Sequence, residues 1–284
     1  PVVSAGMLRK ALQYQRLTGG VIALHEEDPS LSGRGVMHEG AVSAMLGLTG
    51  IPRVSESTMV ARDAALAGYE DGRVHMQHLS CVESVRAVAH AKELGARVTA
   101  EVSPHHLCLT DQAIRAGHAG PGLLNTSMKM NPPLRTEQDR QALIEGLRSG
   151  VVDCIATDHA PHARDEKDVP FEQAPMGTTG LETAFAAVHT DLVVPGVLPL
   201  ALVVERMGAG AALLDLPVPR IAPGEPANVT LVDLAAEWEV GDDGYESRSE
   251  NCCFAGRRLR GRVLLTVAGG SVAYRERALV AVGA

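Results

Sequence analysis

The segment Cys154-Ile155-Ala156-Thr157-Asp158-His159-Ala160-Pro161-His162 runs from apolar residues into one carboxylate and two imidazoles, then meets a proline. Such groups are costly to bury unless they are hydrogen-bonded, paired or coordinate a metal. Two further histidines stand in the same position relative to an apolar run: His25 follows Val21-Ile22-Ala23-Leu24, and His78 follows Val74-His75-Met76-Gln77. Neutral imidazoles and a carboxylate form a ligand set that suits zinc, with room left for water. A metal lowers the pKa of that water toward neutrality, and a nearby carboxylate can carry its proton. Asp158 fits that second role. The plainer alternative is a capping aspartate with two packing histidines at a strand end.

The elements that would position these groups repeat one pattern. Ser4 caps a helix carrying Met7, Leu8, Ala11 and Leu12 and ending near Gly19-Gly20. Val21 to Leu24 reads as a parallel strand covered on both faces. The strand at Val74 is followed by a helix over about Glu83 to Leu94, then by a strand Val98 to Val102 closing at Pro104-His105-His106. Thr136 and Glu137 open a helix with Leu143, Ile144 and Leu147 on its apolar side, and Gly150 ends it. Val151 to Thr157 is the fourth strand. Strand–helix alternation predicts a parallel α/β architecture with right-handed crossovers. In a (β/α) barrel the carboxyl ends of the strands carry the chemistry, and roughly eight strands are needed for closure. The expected fold is therefore the second half of a TIM-type barrel over residues 1–221, the chain starting at Pro1 with a first half upstream.

Beyond about residue 222 the pattern becomes alternating. Ala227 to Leu234 reads as a strand, and Val263 to Val267 and Ser271 to Tyr274 flank a Gly269-Gly270 hairpin turn. A small β domain, a β-sandwich portion, is expected over 222–284, joined through the Pro/Gly-rich segment 217–226. The formal charge of −8 argues against a nucleic-acid partner, and the arginines of Arg257-Arg258-Leu259-Arg260-Gly261-Arg262 read as the solvated side of a strand. The apolar runs fall short of the roughly 20 residues of a membrane helix, so no membrane association and a cytoplasmic location are expected. Five isolated or adjacent cysteines read as reduced structural thiols.

Taken together, several stretches resemble class I dihydroorotase of the amidohydrolase superfamily: His25-Glu26-Glu27-Asp28-Pro29-Ser30-Leu31-Ser32, Glu101-Val102-Ser103-Pro104-His105-His106-Leu107, Lys129-Met130-Asn131-Pro132-Pro133-Leu134-Arg135 and Ala156 to His162. Ala174-Pro175-Met176-Gly177, Gly180-Leu181-Glu182-Thr183 and the Asn228 to Asp233 tail extend the match along essentially the whole chain. The resemblance implies a hydrolase of pyrimidine biosynthesis that interconverts dihydroorotate and N-carbamoyl-L-aspartate on a TIM barrel, with two zinc ions in the complete site. It implies His25 and His78 as ligands of the second metal, and Asp158 as ligand of the first metal and general base and acid. It implies substrate contacts from Asn131, His162, Met176 and Gly177, the last two through backbone, and a homodimer with aspartate carbamoyltransferase as a further partner. It gives no ligand role to His105, His106 or His159, which read as packing residues.

The family's His-x-His pair, its substrate-binding arginine and its acidic or carbamylated-lysine ligand do not occur in the chain, so these residues alone are expected to be inactive. Glu26 stands where the family often has cysteine, with little consequence expected. Two other readings remain open: another cyclic amidohydrolase (hydantoinase, dihydropyrimidinase or allantoinase), against which Asn131 before the proline pair speaks, and a non-catalytic subunit supporting aspartate carbamoyltransferase, against which His25, His78 and Asp158 speak.

Overall fold

The computed structural model describes residues 1–115 and 124–276. Its central feature is a parallel sheet in which Ile22–Leu24, Arg73–Met76, Arg97–Val102 and Cys154–Ile155 lie side by side in chain order. Successive side chains of a strand point to opposite faces. On one face Val74, Met76, Val98, Ala100 and Val102 enter a core completed by Leu8 and Leu12, Val60 and Ala64, Val85 and Val88, and Leu143, Ile144 and Leu147. These residues come from the helices Ala5–Thr18, Val54–Glu70, Val82–Glu93 and Glu137–Ser149. The other face carries His75, Thr99 and Glu101, with the His75 ring bonded to both of the others. The Ile22–Leu24 strand departs from the expectation of cover on both faces: Leu24 is buried but Ala23 is exposed.

Local chemistry explains the helix ends. Ser4 Oγ accepts from the Met7 amide, and Gly19 closes that helix with φ 70°. Thr136 and Asp139 form a reciprocal capping box, and Gly150 takes φ 81° at the other end. The buried Asp139 carboxylate also accepts from the Val82 amide at 3.1 Å and pairs with Arg53 at 3.3 Å, so one side chain ties together two helix starts.

Two features differ from the expected elements. The fourth strand is confined to Cys154–Ile155, shorter than Val151 to Thr157. At its start the Asp153 carboxylate, rather than a backbone carbonyl, accepts from the Ala100 amide at 2.8 Å and also holds Lys92, while single backbone bonds from Asp153 N to Ala100 O and from Ala156 N to Val102 O continue the pairing on either side. Between His25 and Arg73 the chain also builds a Pro29–Ser32 turn of helix, a two-stranded pair Met37–His38 with Gly50–Ile51, and the Val54–Glu70 helix.

The β part is a three-stranded antiparallel sheet, Val229–Glu239, Arg258–Ala268 and Ser271–Arg275, turned at Gly269-Gly270 with φ 56° and 82°. Its arginines face carboxylates: Arg257 meets Asp191, Arg260 meets Glu237, and Arg262 meets both Asp243 and Glu276. Phe254, Cys252 and Cys253 pack with Met130, Leu134, Ala186 and Ala187, giving the two parts a shared apolar layer. The five cysteines are free thiols. Among the described residues, no helix is long and apolar enough to cross a membrane.

Candidate active site

Neighbouring strands in the parallel sheet end in His25 and His78, and the sheet's hydrogen bonding continues to their rim: Gln77 N donates to Leu24 O at 3.0 Å and Leu79 N to Glu101 O at 2.9 Å. His25 Nδ1 lies 3.0 Å from His78 Nε2, the rings meeting edge to face at 4.8 Å and 75°. His78 and Asp158 both sit at positive φ, 34° and 47°. Such backbone costs of order 1–3 kcal/mol for a residue other than glycine and concentrates at functional sites.

Burial pushes the His78 pKa down, against the opposing pull of the Asp158 carboxylate, so the ring is neutral and able to donate a lone pair. His78 Nδ1 is buried without a hydrogen-bond partner. Two converging imidazoles, one of them carrying an unsatisfied buried nitrogen and feeling the Asp158 carboxylate, offer nitrogen donors of the kind a zinc-type ion takes. His25 Nε2 is 3.2 Å from Glu27 Oε2, the same oxygen that accepts from Asn131 Nδ2 at 2.9 Å. The His25 contact pulls the Glu27 carboxyl down to about 2. Glu27 thus connects the histidine pair to Asn131.

A second group forms around Gly177. His162 Nε2 lies 2.9 Å from Met176 O, and Gly177 N donates to Lys129 O at 2.8 Å. Gly177 has φ 139°, and a Cβ there would come within 2.7 Å of the Ala160 Cβ and 2.9 Å of His162 Nε2. Only glycine fits this approach. Asn251 locks the two loops: its Oδ1 accepts from His162 N, and its Nδ2 donates to Ala160 O and Gly177 O. The short run from Lys129 to Asn131 joins both groups, one end at Gly177 and the other at Glu27.

Lys129 and Lys167 are buried and, among the described residues, form no ion pair with a carboxylate. Lys129 Nζ donates to Glu172 O and Ala174 O at 3.0 and 2.7 Å, and Lys167 Nζ to Thr126 O and Pro175 O at 3.1 and 2.7 Å. Burial brings the Lys167 pKa down to about 8. Both ammonium groups staple the turn that delivers Met176 and Gly177. Replacing Lys129 by methionine strands two carbonyls, and urea unfolding is expected to show a loss of about 1–3 kcal/mol. An unchanged midpoint would show the clamp to be idle.

The structure brings together His25, His78 and Asn131, and separately His162, Met176 and Gly177. His105 and His106 are buried behind the site, His106 between Ser103 Oγ and Pro132 O, while His159 Nδ1 accepts from Gly180 N. Sequence reasoning assigned no role to Glu27, Lys167 or Asn251. Glu27 could have been found from its place two residues after His25. Asn251 carries no such signal. A recess of about 830 Å³ on the β sheet, lined by Trp238, Tyr245, Arg262 and Tyr274, contains none of the expected site residues.

The parallel sheet with its appended antiparallel sheet is a fold the chain shares with solved hydantoinases and dihydropyrimidinases. Among solved structures the chain matches L-hydantoinase (dihydropyrimidinase) from Arthrobacter aurescens with a TM-score of 0.83 at 25% identity, covering 97% of this chain and 61% of that one. It matches D-hydantoinase from Thermus sp. with a TM-score of 0.82 at 24% identity, covering 96% and 61%. No family model matches the chain. In sequence it is 46% identical over 280 residues to a dihydroorotase of Pelotomaculum thermopropionicum, covering 98% of this chain and 64% of that relative. The dihydroorotase of Anaeromyxobacter dehalogenans strain 2CP-C is 46% identical over 277 residues, covering 97% and 63%. The chain is thus similar along nearly its whole length to dihydroorotases, and it spans less than two thirds of the length of these relatives.

Proposed function

We propose that this protein is a dihydroorotase, hydrolysing the cyclic amide of dihydroorotate reversibly to N-carbamoyl-L-aspartate in pyrimidine biosynthesis. The observation that carries the reading is the 3.0 Å approach of His25 and His78 at adjacent strand ends, in a chain 46% identical to curated dihydroorotases. His25, His78 and Asp158 would hold zinc, two ions in the complete site. When bound, zinc supplies a nucleophile at neutral pH and polarises the amide carbonyl. Asp158 takes the proton of the attacking water and returns it to the leaving nitrogen. Glu27 fixes the His25 ring and aims the Asn131 amide. Asn131 and His162 bind the substrate, and the Met176–Gly177 backbone, held by Lys129, Lys167 and Asn251, lies along the pyrimidine ring.

Residues 1–221 form the barrel half and 222–284 the small β domain in this reading, and the working protein is a cytoplasmic homodimer that also associates with aspartate carbamoyltransferase. The test is dihydroorotate hydrolysis and zinc content of the intact gene product, with hydantoin, dihydrouracil and allantoin as competitors. Metal-dependent turnover with preference for dihydroorotate is expected. Preference for hydantoin would favour the neighbouring class, and co-purification with the transferase without turnover would favour a scaffold.

A further inference from the structure

One level below His25 and His78, three consecutive strands place a second set of ligand-type side chains on the face away from the apolar core. Sheet register puts His75 opposite Thr99 and Glu101 opposite Cys154. The ligand atoms of His75, Glu101 and Cys154 all lie within 4.8 Å of one another. Among the described residues this is the one group of three histidine, cysteine or acidic side chains gathered so closely. His75 and Cys154 are buried, and Glu101 is half-buried.

The hydrogen bonds around His75 leave a place for positive charge. Thr99 Oγ1 donates to Val74 O at 3.4 Å and lies 2.8 Å from His75 Nδ1, so it can accept a proton held on that nitrogen. With its proton on Nδ1, the ring directs the Nε2 lone pair at Glu101 Oε2, 2.9 Å away. Two acceptors facing each other at that distance require a proton or a cation between them. Cys154 supplies the third donor and tilts the preference toward ions that favour sulfur.

We propose that His75, Glu101 and Cys154 form a binding site for a thiophilic divalent cation, Zn²⁺ or Cd²⁺, distinct from the zinc centre at His25 and His78. Three protein ligands of nitrogen, oxygen and sulfur leave a fourth position for water, as zinc accepts. On binding, the Cys154 thiol releases its proton to solvent and the sulfur forms a bond to the metal, while His75 Nε2 and Glu101 Oε2 donate lone pairs. Burial holds the Cys154 thiol pKa up at about 12, so the metal must displace that proton and uptake strengthens as pH rises. Glu101 Oε1 also accepts from the His78 amide at 3.4 Å, which makes this carboxylate the link between the two levels.

The site is tested on the full chain with CdCl₂ as probe, reading the ultraviolet thiolate-to-cadmium charge-transfer band and the bound metal by equilibrium dialysis. One sulfur-ligated cadmium per chain is expected. Cys154→Ala should abolish the band, Glu101→Gln and His75→Gln should weaken binding at least tenfold, and Cys108→Ala and the double variant His25→Ala/His78→Ala should retain it. Circular dichroism melts confirm that each variant is folded. A band that survives in folded Cys154→Ala, or disappears in the His25/His78 double variant, overturns the proposal, as does its absence from the folded wild-type chain. Absence of dihydroorotate turnover in the metal-loaded intact gene product, with the band present, would overturn the proposed function and leave this site standing.

Discussion

In the intact protein, Asp158→Asn is expected to lower the turnover of dihydroorotate by about 10²–10⁴-fold, the range a positioned general base contributes, with an unchanged melting temperature. Asn and Asp are the side chains that tolerate positive φ best, so the amide can occupy the 47° backbone of residue 158 without new strain. Shape and backbone are kept while the proton acceptor is removed. Asp158→Ala provides the contrast, because it adds backbone strain to the chemical loss and should melt earlier. The His78 ring stays neutral in both variants, since burial sets its pKa and the Asp158 charge only opposes that trend. Turnover within twofold of wild type in a folded Asp158→Asn protein would remove Asp158 from the mechanism.

The parallel strands were legible because each is a short apolar run closed by a costly polar residue, and the helix ends because Ser4, Thr136, Gly19 and Gly150 each have a local capping role. The Val54–Glu70 helix was not. Its buried side includes Ser55, Glu56, Ser57, Asp63 and Glu70, so apolar periodicity is weak, and Arg53 at its start makes no capping bond. The polar residues are buried because they have work elsewhere: Glu56 accepts from the Ser80 amide and hydroxyl and pairs with Arg135, and Glu70 binds Arg9, Gln13 and Arg16. The site divides similarly. Motif residues in contiguous stretches could be named from the sequence, and His25, His78 and Asn131 do gather. Asn251 could not, because its contacts run to residues some 70–90 positions away and its neighbours are packing cysteines. The His75, Glu101 and Cys154 set is visible only once the register of three strands is known, since alternation alone does not say which positions fall opposite each other.

Glu26→Gln is expected to stabilise the protein by about 2–4 kcal/mol at pH 8 and to leave it nearly unchanged at pH 4.5. Glu26 is 2% exposed, and among the described residues no cationic or amide donor bonds its carboxyl oxygens, which lie beside the Asp63 carboxylate. Burial raises its pKa to about 8, and the adjacent Asp63 carboxylate adds to the effect while Arg62 opposes it. The sign follows from proton counting. With the folded pKa above the unfolded value of about 4.5, the folded chain holds more protons between those limits, so its stability falls as pH rises from 4.5 to 8. Below that window both states are protonated and the group contributes nothing to the balance; above it the full cost of a buried carboxylate is present. Glutamine reproduces the neutral acid at every pH and should flatten this slope. The position also carries more weight than its sequence reading as an inconsequential departure implies, because the side chain points into the carboxyl cluster against the Val54–Glu70 helix rather than to solvent. Urea unfolding at intervals from pH 4.5 to 8 decides the matter: wild-type and Glu26→Gln curves that run parallel across that range would show that Glu26 does not titrate in the folded protein as its surroundings require.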